Sequence, residues 1–238
     1  MRVLMISTDR TLLGHQGIGD AVLRHKEYAA NVDRLDILVL SKKPDKPNRI
    51  SKNCQAIPVY LWNMKKVAKQ LGKNHNYNLV VCQDPFITAK LGVYVKRKFG
   101  SKLIIHFHGD FLDNPYWLKE HWRNRFYKRM TKNHIKFADS IRVVSEGIKQ
   151  KLIKREIAQQ DIYKIPTPVN LLQFETERVQ QPGDKKIILT VGRIVEAKDF
   201  PTLIKAAEQV AAQNLNFEWQ IVSESQLFNK LKKKTINK

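Results

Sequence analysis

The 238-residue sequence has no run of about 18 consecutive apolar residues, the length a helix needs to cross a bilayer. It opens on an apolar strand pattern from Val3, without the positive-then-apolar leader of a secreted chain. These two absences predict a cytoplasmic protein. Cysteine is scarce: Cys54 and Cys82 alone, each in or beside a predicted strand, which predicts two buried, reduced and chemically passive thiols. Acidic residues are few as well, 22 against 43 lysines and arginines, for a net charge of +21. Such a field draws phosphate-bearing partners without choosing among nucleic acid, anionic lipid headgroups and a nucleotide diphosphate. An ordinary solvated basic surface is the competing explanation. No helix-turn-helix, zinc or RNP signature accompanies the charge, so nucleic acid is not the expected partner.

What is present is an alternation of short apolar runs with amphipathic helices, the pattern of a mostly parallel, helix-covered sheet. Strands are predicted at residues 3–7, 35–40, 56–60, 79–82, 102–107, 140–144 and 162–165. Helices are predicted at 20–31, 63–73, 85–99, 117–137 and 145–155, with Pro85 opening the third and Ser145 capping the fifth. Pro166, Pro168 and Pro182-Gly183 then punctuate a stretch without periodicity, read as a linker over 169–185. The alternation resumes with strands at 186–191 and 217–222 and helices at 199–213 and 226–234. The predicted organisation is therefore a first domain over 1–168 and the opening βαβα of a second over 186–238.

Four constellations carry candidate chemistry. The turn from Gly14 to Asp20, after the first strand and before a helix, is where backbone N–H groups meet a phosphate. Its spacing matches neither the dinucleotide fingerprint nor the P-loop, and tight geometry alone also demands glycine there. In Val191-Gly192-Arg193 through Lys198, two cations five residues apart stand between a strand end and a helix start. An arginine fork and a lysine suit a departing diphosphate, though two solvated cations would look the same. At the end of another strand, His106-Phe107-His108-Gly109-Asp110 can orient a sugar hydroxyl, form a structural turn or supply two metal ligands. No second ligand cluster supports the metal. The predicted 117–137 helix carries Leu118, Trp122, Phe126 and Met130 every four residues, with seven basic residues against one acid, Glu120. That composition suits an anionic membrane surface, and the stripe equally suits core packing.

The order of motifs resembles family-4 glycosyltransferases over nearly the whole chain. Phe137-Ala138-Asp139-Ser140-Ile141 through Ser145 resembles that family's AD-x-I-x-x-x-S segment. Ile165-Pro166-Thr167-Pro168-Val169-Asn170 through Phe174 resembles its interdomain IPNGVD…F crossover. Val191-Gly192-Arg193 to Lys198, followed by Leu203-Ile204-Lys205-Ala206-Ala207, resembles the opening of its donor domain. The resemblance implies an α/β, GT-B-type fold: a complete N-terminal Rossmann-like domain plus the first βαβα of a second. It implies retaining transfer of a sugar from a nucleotide-sugar donor of UDP or GDP type to a glycan or lipid-linked acceptor, without a metal. Carried over residue by residue, His108 is the active-site histidine, Arg193 and Lys198 hold the donor diphosphate, and Gly17 and Gly19 approach the donor. Asp110 is a candidate acceptor or sugar contact. Two departures bear on activity. Ser223-Glu224-Ser225-Gln226 stands where the family has a glycine-rich turn, and the sequence ends at Lys238 before the family's later glutamate pair. The expectation is a transferase that is impaired, or completed by a second chain supplying the missing half, or else a non-catalytic remnant.

Overall fold

The computed structural model describes residues 1–15, 20–112, 114–169, 171, 186–192, 194, 198–213 and 217–223. The chain divides into two units: 1–114 with 121–168, and 115–120 with 169–238.

The first unit is built on an eight-stranded sheet of order β3-β4-β2-β1-β5-β6-β7-β8. The strands are β1 (Arg2–Ser7), β2 (Arg34–Leu40), β3 (Asn48–Ser51), β4 (Cys54–Val59), β5 (Leu79–Cys82), β6 (Lys102–Phe107), β7 (Ser140–Val143) and β8 (Ile162–Lys164). All neighbours run parallel except β3 and β4. Parallel strands need crossovers, and helices supply them: α1 (Ala21–Ala30), α2 (Met64–His75), α3 (Ile87–Phe99), then α5 (Trp122–His134) and α6 (Glu146–Ile153), with the short α4 (Pro115–Glu120) in the other unit. Because side chains alternate across the pleat, one strand feeds two cores. Leu4 and Ile6 of β1 join Leu38, Val80, Leu103 and Ile105 on the side covered by α2, α3, α5 and α6. Val3 and Met5 join Leu35, Ile37, Val39 and Val81 on the side covered by α1. Burial on both faces is why these strands read as continuous apolar runs.

Two polar features brace this sheet. Asp36 is fully buried in β2. Its carboxylate accepts from Arg34 (Nε 2.5 Å, Nη2 3.1 Å), from Gln55 (2.7 Å) and from the Tyr77 hydroxyl. Both cysteines are free and buried. Burial pushes the Cys54 thiol up to about 11 and Cys82 well above its ordinary value. Cys82 lies against Gly92 of α3, where an added Cβ would fall 2.3 Å from Sγ. Only glycine lets α3 settle that close to β5.

The structure departs from the sequence expectations in three places. The single helix over 117–137 is instead α4, α5 and a 3-10 turn at Ile135–Phe137. The backbone at His121 is extended (φ −149°, ψ 138°), which resets the helical phase. Asn124 and Thr131 of α5 turn inward as a result, and Tyr127 stacks on Phe86 with centroids 5.0 Å apart. The expected aromatic stripe points out, with Trp122 80% and Phe126 60% exposed. Pro85 precedes α3 rather than opening it, because Asp84 Oδ1 accepts from the backbone of Phe86 (2.7 Å) and Thr88 (3.4 Å) in a turn of its own. Strand β3 was not foreseen. Ser145 does cap α6, accepting from the Ile148 amide at 3.4 Å.

The second unit contains β9 (Lys186–Val191) and β10 (Phe217–Val222), paired in parallel and connected through α7 (Phe200–Ala211). Asp199, left-handed at φ 47°, caps α7 by accepting from the Thr202 amide at 3.4 Å. The helix expected at 226–234 lies outside the described residues.

Candidate functional site

Strand order reverses around β1, which has β2 on one side and β5 on the other, and the carboxyl edge at such a switch point is where open α/β sheets bind ligands. A cleft of about 390 Å³ lies there on the α1 side of the sheet. Arg24, His25 and Tyr28 come from α1, Gln83 from just past β5, His106 and His108 from the end of β6, and Arg142 from β7. The backbone after β8, from Ile165 to Pro168, completes the wall. His106 and Arg142 are register partners in neighbouring strands, so both emerge on the same face.

Desolvation dominates the electrostatics. It lowers His106 to about 3, with Arg142 adding to the effect, and it lowers His108 in the same order of causes. Both imidazoles are therefore neutral at neutral pH, and the cleft's cations are Arg142 and Arg24, the latter ion-paired with Asp20 at the start of α1. No Asp or Glu lines it. Arg142 donates through Nε to the Ile165 carbonyl (2.9 Å) and through Nη2 to the Pro166 carbonyl (3.0 Å), which fixes its plane and leaves other N–H groups uncommitted among the described residues. Gln83 orients His108. Its amide nitrogen donates to Met5 Sδ (3.1 Å), so its Oε1, 2.9 Å from His108 Nε2, accepts a proton from that ring. His108 Nδ1 then carries a lone pair. His106 Nδ1 is buried without a hydrogen-bond partner among the described residues. A buried polar atom left unpaired costs about 1–3 kcal/mol, which a polar ligand would recover.

The two histidine rings stand 5.6 Å apart, edge to face. Among the described residues no group of three or more His, Cys, Asp and Glu is placed to hold a metal. Asp110 does not line the cleft; its carboxylate is ion-paired with Lys151 and accepts from the Leu112 amide at 3.4 Å. Gly14, left-handed at φ 89°, closes the 3-10 turn that follows β1, and His15 is tied to Asp45 at 2.8 Å. Gly17 and Gly19 themselves lie outside the described residues, as does Arg193. Lys198, in the second unit, is exposed immediately before the α7 cap. Arg24, His25, Tyr28, Gln83 and Arg142 had no local signal in the sequence; only the crossovers bring them together.

This doubly wound sheet with its carboxyl-edge cleft is the GT-B glycosyltransferase fold, as three solved structures show. The lipopolysaccharide outer core galactosyltransferase WaaB, in its apo form, superposes with a TM-score of 0.57 at 15% identity, over 99% of this chain and 71% of its own. HepE of Anabaena, in complex with UDP and glucose, gives 0.64 at 13% identity, over 100% and 65%. Sucrose-phosphate synthase of Thermosynechococcus elongatus gives 0.66 at 14% identity, over 93% and 62%. The chain thus spans less than two thirds of the latter two. No curated protein matches the chain by sequence. The family model for Glycosyltransferase Family 4 matches residues 25–172, more than half the sequence, and the chain belongs to that family.

Proposed function

We propose that this protein takes part in retaining transfer of a sugar from a UDP- or GDP-type nucleotide-sugar donor to a glycan or lipid-linked acceptor, without a metal. The observation that carries the reading is the carboxyl-edge cleft with its oriented, neutral His108 and two arginines, on a family-4 fold. A sugar leaving a diphosphate becomes oxocarbenium-like, and such a state needs positioned dipoles and cations more than it needs a nucleophile. His108 is proposed to bind a hydroxyl of the transferring sugar or acceptor, with Gln83 positioning the ring and His106 Nδ1 offering a second polar contact. Arg193 and Lys198 are proposed to hold the diphosphate, and Gly17 and Gly19 to approach the donor. Asp110, ion-paired with Lys151, is proposed as an acceptor or sugar contact. HepE, crystallised with UDP and glucose, supports a nucleotide-sugar partner.

The test is release of nucleoside diphosphate from a panel of UDP- and GDP-sugars, with the anomeric configuration of the product read by NMR. His108→Ala is expected to slow turnover about a hundredfold or more, and a chelator to leave it unchanged. Equal turnover by His108→Ala would remove that residue from the chemistry.

A second reading, that turnover requires another chain, is favoured by one observation. Strand β9 exposes Ile187 (62%), Leu189 (58%) and Val191 (70%), an apolar surface suited to a covering partner. Adding the product of the adjacent reading frame is expected to restore activity if the isolated chain has none. Inactivity of the chain both alone and with that product points to a non-catalytic remnant.

A further inference from the structure

Three of the four helices over one face of the first sheet are free of acid, the fourth, α6, carrying Glu146 at its start. α2, α3 and α5 carry four, four and five lysines or arginines in turn, and no Asp or Glu. On the opposite face, α1 mixes Arg24 and Lys26 with Glu27 behind an Asp20 cap. Even in a chain of net charge +21, random placement of 22 acids would put some on three helices of this length. The segregation produces a local field rather than a uniform one.

Within that face lies a groove of about 590 Å³, with α3 contributing much of its lining and α2 and α5 flanking it. Five cations line it: Lys65, Lys90, Arg97, Lys98 and Lys136. None has a carboxylate partner among the described residues. Two aromatic rings hold three of them: Lys65 Nζ lies 5.6 Å from the Tyr94 centroid, and Arg97 and Lys136 lie 4.4 Å and 5.5 Å from that of Phe137. Unneutralised cations held together in a concavity suit phosphate oxygens.

Large apolar side chains stand exposed where the flanking helices begin. Leu61 (62%) and Trp62 (83%) immediately precede α2, and Trp122 (80%) and Phe126 (60%) occupy the first turns of α5. Each helix runs back toward the start of a parallel strand, so each begins on the carboxyl-edge side, the side of the histidine cleft. Exposed tryptophan beside lysine and arginine is the composition of a surface that sits in the headgroup region of a bilayer.

We propose that the α2–α3–α5 face docks on a bilayer containing anionic phospholipid, with headgroup phosphates in the cationic groove and Trp62, Trp122 and Phe126 in the interface. The proposal goes beyond the transfer reading and does not depend on it, because it is tested by binding alone. The full chain is sedimented with phosphatidylcholine vesicles, with and without phosphatidylglycerol. Binding is expected only with phosphatidylglycerol. Lys65→Glu/Lys90→Glu is expected to weaken it at least about tenfold. Both substitutions fall in first helical turns, where a carboxylate suits the helix dipole, so loss of binding does not arise from loss of fold. The control Lys26→Glu/Lys52→Glu makes the same charge change at exposed positions elsewhere and is expected to weaken binding less than about threefold. Trp122→Ala/Phe126→Ala is expected to lower affinity about tenfold or more. Equal weakening by the control pair overturns the proposal in favour of diffuse charge. Equal binding to neutral vesicles, no binding to either, or no effect of the aromatic pair also overturns it. Tighter binding to a single-stranded oligonucleotide at the same salt overturns it in favour of nucleic acid.

Discussion

The two sheets put the same kind of residue in opposite surroundings. In β1 the run Val3-Leu4-Met5-Ile6-Ser7 is buried throughout, because α1 covers one face and α2 and α3 the other. In β9 the comparable run Ile187-Ile188-Leu189 is exposed, and its companion helix α7 buries only Phe200. A string of β-branched and leucine residues therefore marks a strand in both units. Whether it contributes a core depends on how many layers the rest of its unit supplies.

The largest expected contrast is in hydrogen exchange. Amides of β9 and β10 are expected to exchange at least about a thousandfold faster than those of β1 and β2 in the native full chain, read by mass spectrometry. Equal protection would break the comparison. Next in size is a matched pair of truncations measured by urea denaturation. Leu38→Ala, fully buried in β2, is expected to cost about 2–5 kcal/mol, whereas Leu189→Ala, 58% exposed, should stay within about 0.5 kcal/mol. A third change sharpens how tightly the first sheet is packed. Gly92→Ala drives a methyl into Cys82 Sγ and Leu103 and is expected to cost about 1–3 kcal/mol. Adding Cys82→Ala should return part of that loss, and a double variant no better than the single would show that Leu103 sets the limit.

The smallest effect concerns pH. Burial lowers His106 from its ordinary 6.5 to about 3, so between those values the unfolded chain binds a proton that the folded chain refuses. The stability this residue contributes is complete above about pH 6.5 and is lost as pH falls toward 3. His25, His108 and His134 are lowered too, so they act in the same direction. Denaturation across this range should show a falling midpoint on acidification, shallower in His106→Asn. An identical slope in that variant would mean that His106 takes up its proton at the same pH in the folded and the unfolded chain.

The alternating architecture was legible in the sequence because the parallel strands are buried on both faces and their apolar runs stand clear of the amphipathic helices. Strand β3 was not, since an edge strand with only Ile50 apolar in Asn48–Ser51 carries no period. The direction in which the α5 stripe points stayed open for a related reason. Trp122 and Phe126 recur at helical spacing, but spacing alone does not say which way a stripe points. In the cleft, His106 and His108 were legible because they end a strand. Gln83, Arg24 and Arg142 are ordinary polar residues in their local sequence, and only the register of β6 with β7 and the return of α1 make them neighbours. Gly17, Gly19 and Arg193 fall outside the described residues, so their expected roles rest on the family resemblance.

The buried cysteines have a practical consequence for anyone who wants to watch this protein move. Cys54 is 2% exposed and Cys82 is fully enclosed, and both thiols are held protonated far above neutral pH. Since maleimides and other alkylating probes react with exposed thiolates, the native chain should be close to silent toward them. A single cysteine introduced at an exposed position such as Lys66 or Lys26 would then be the one reactive handle. The protein can carry a fluorophore or spin label at a chosen site with its own two thiols left in place.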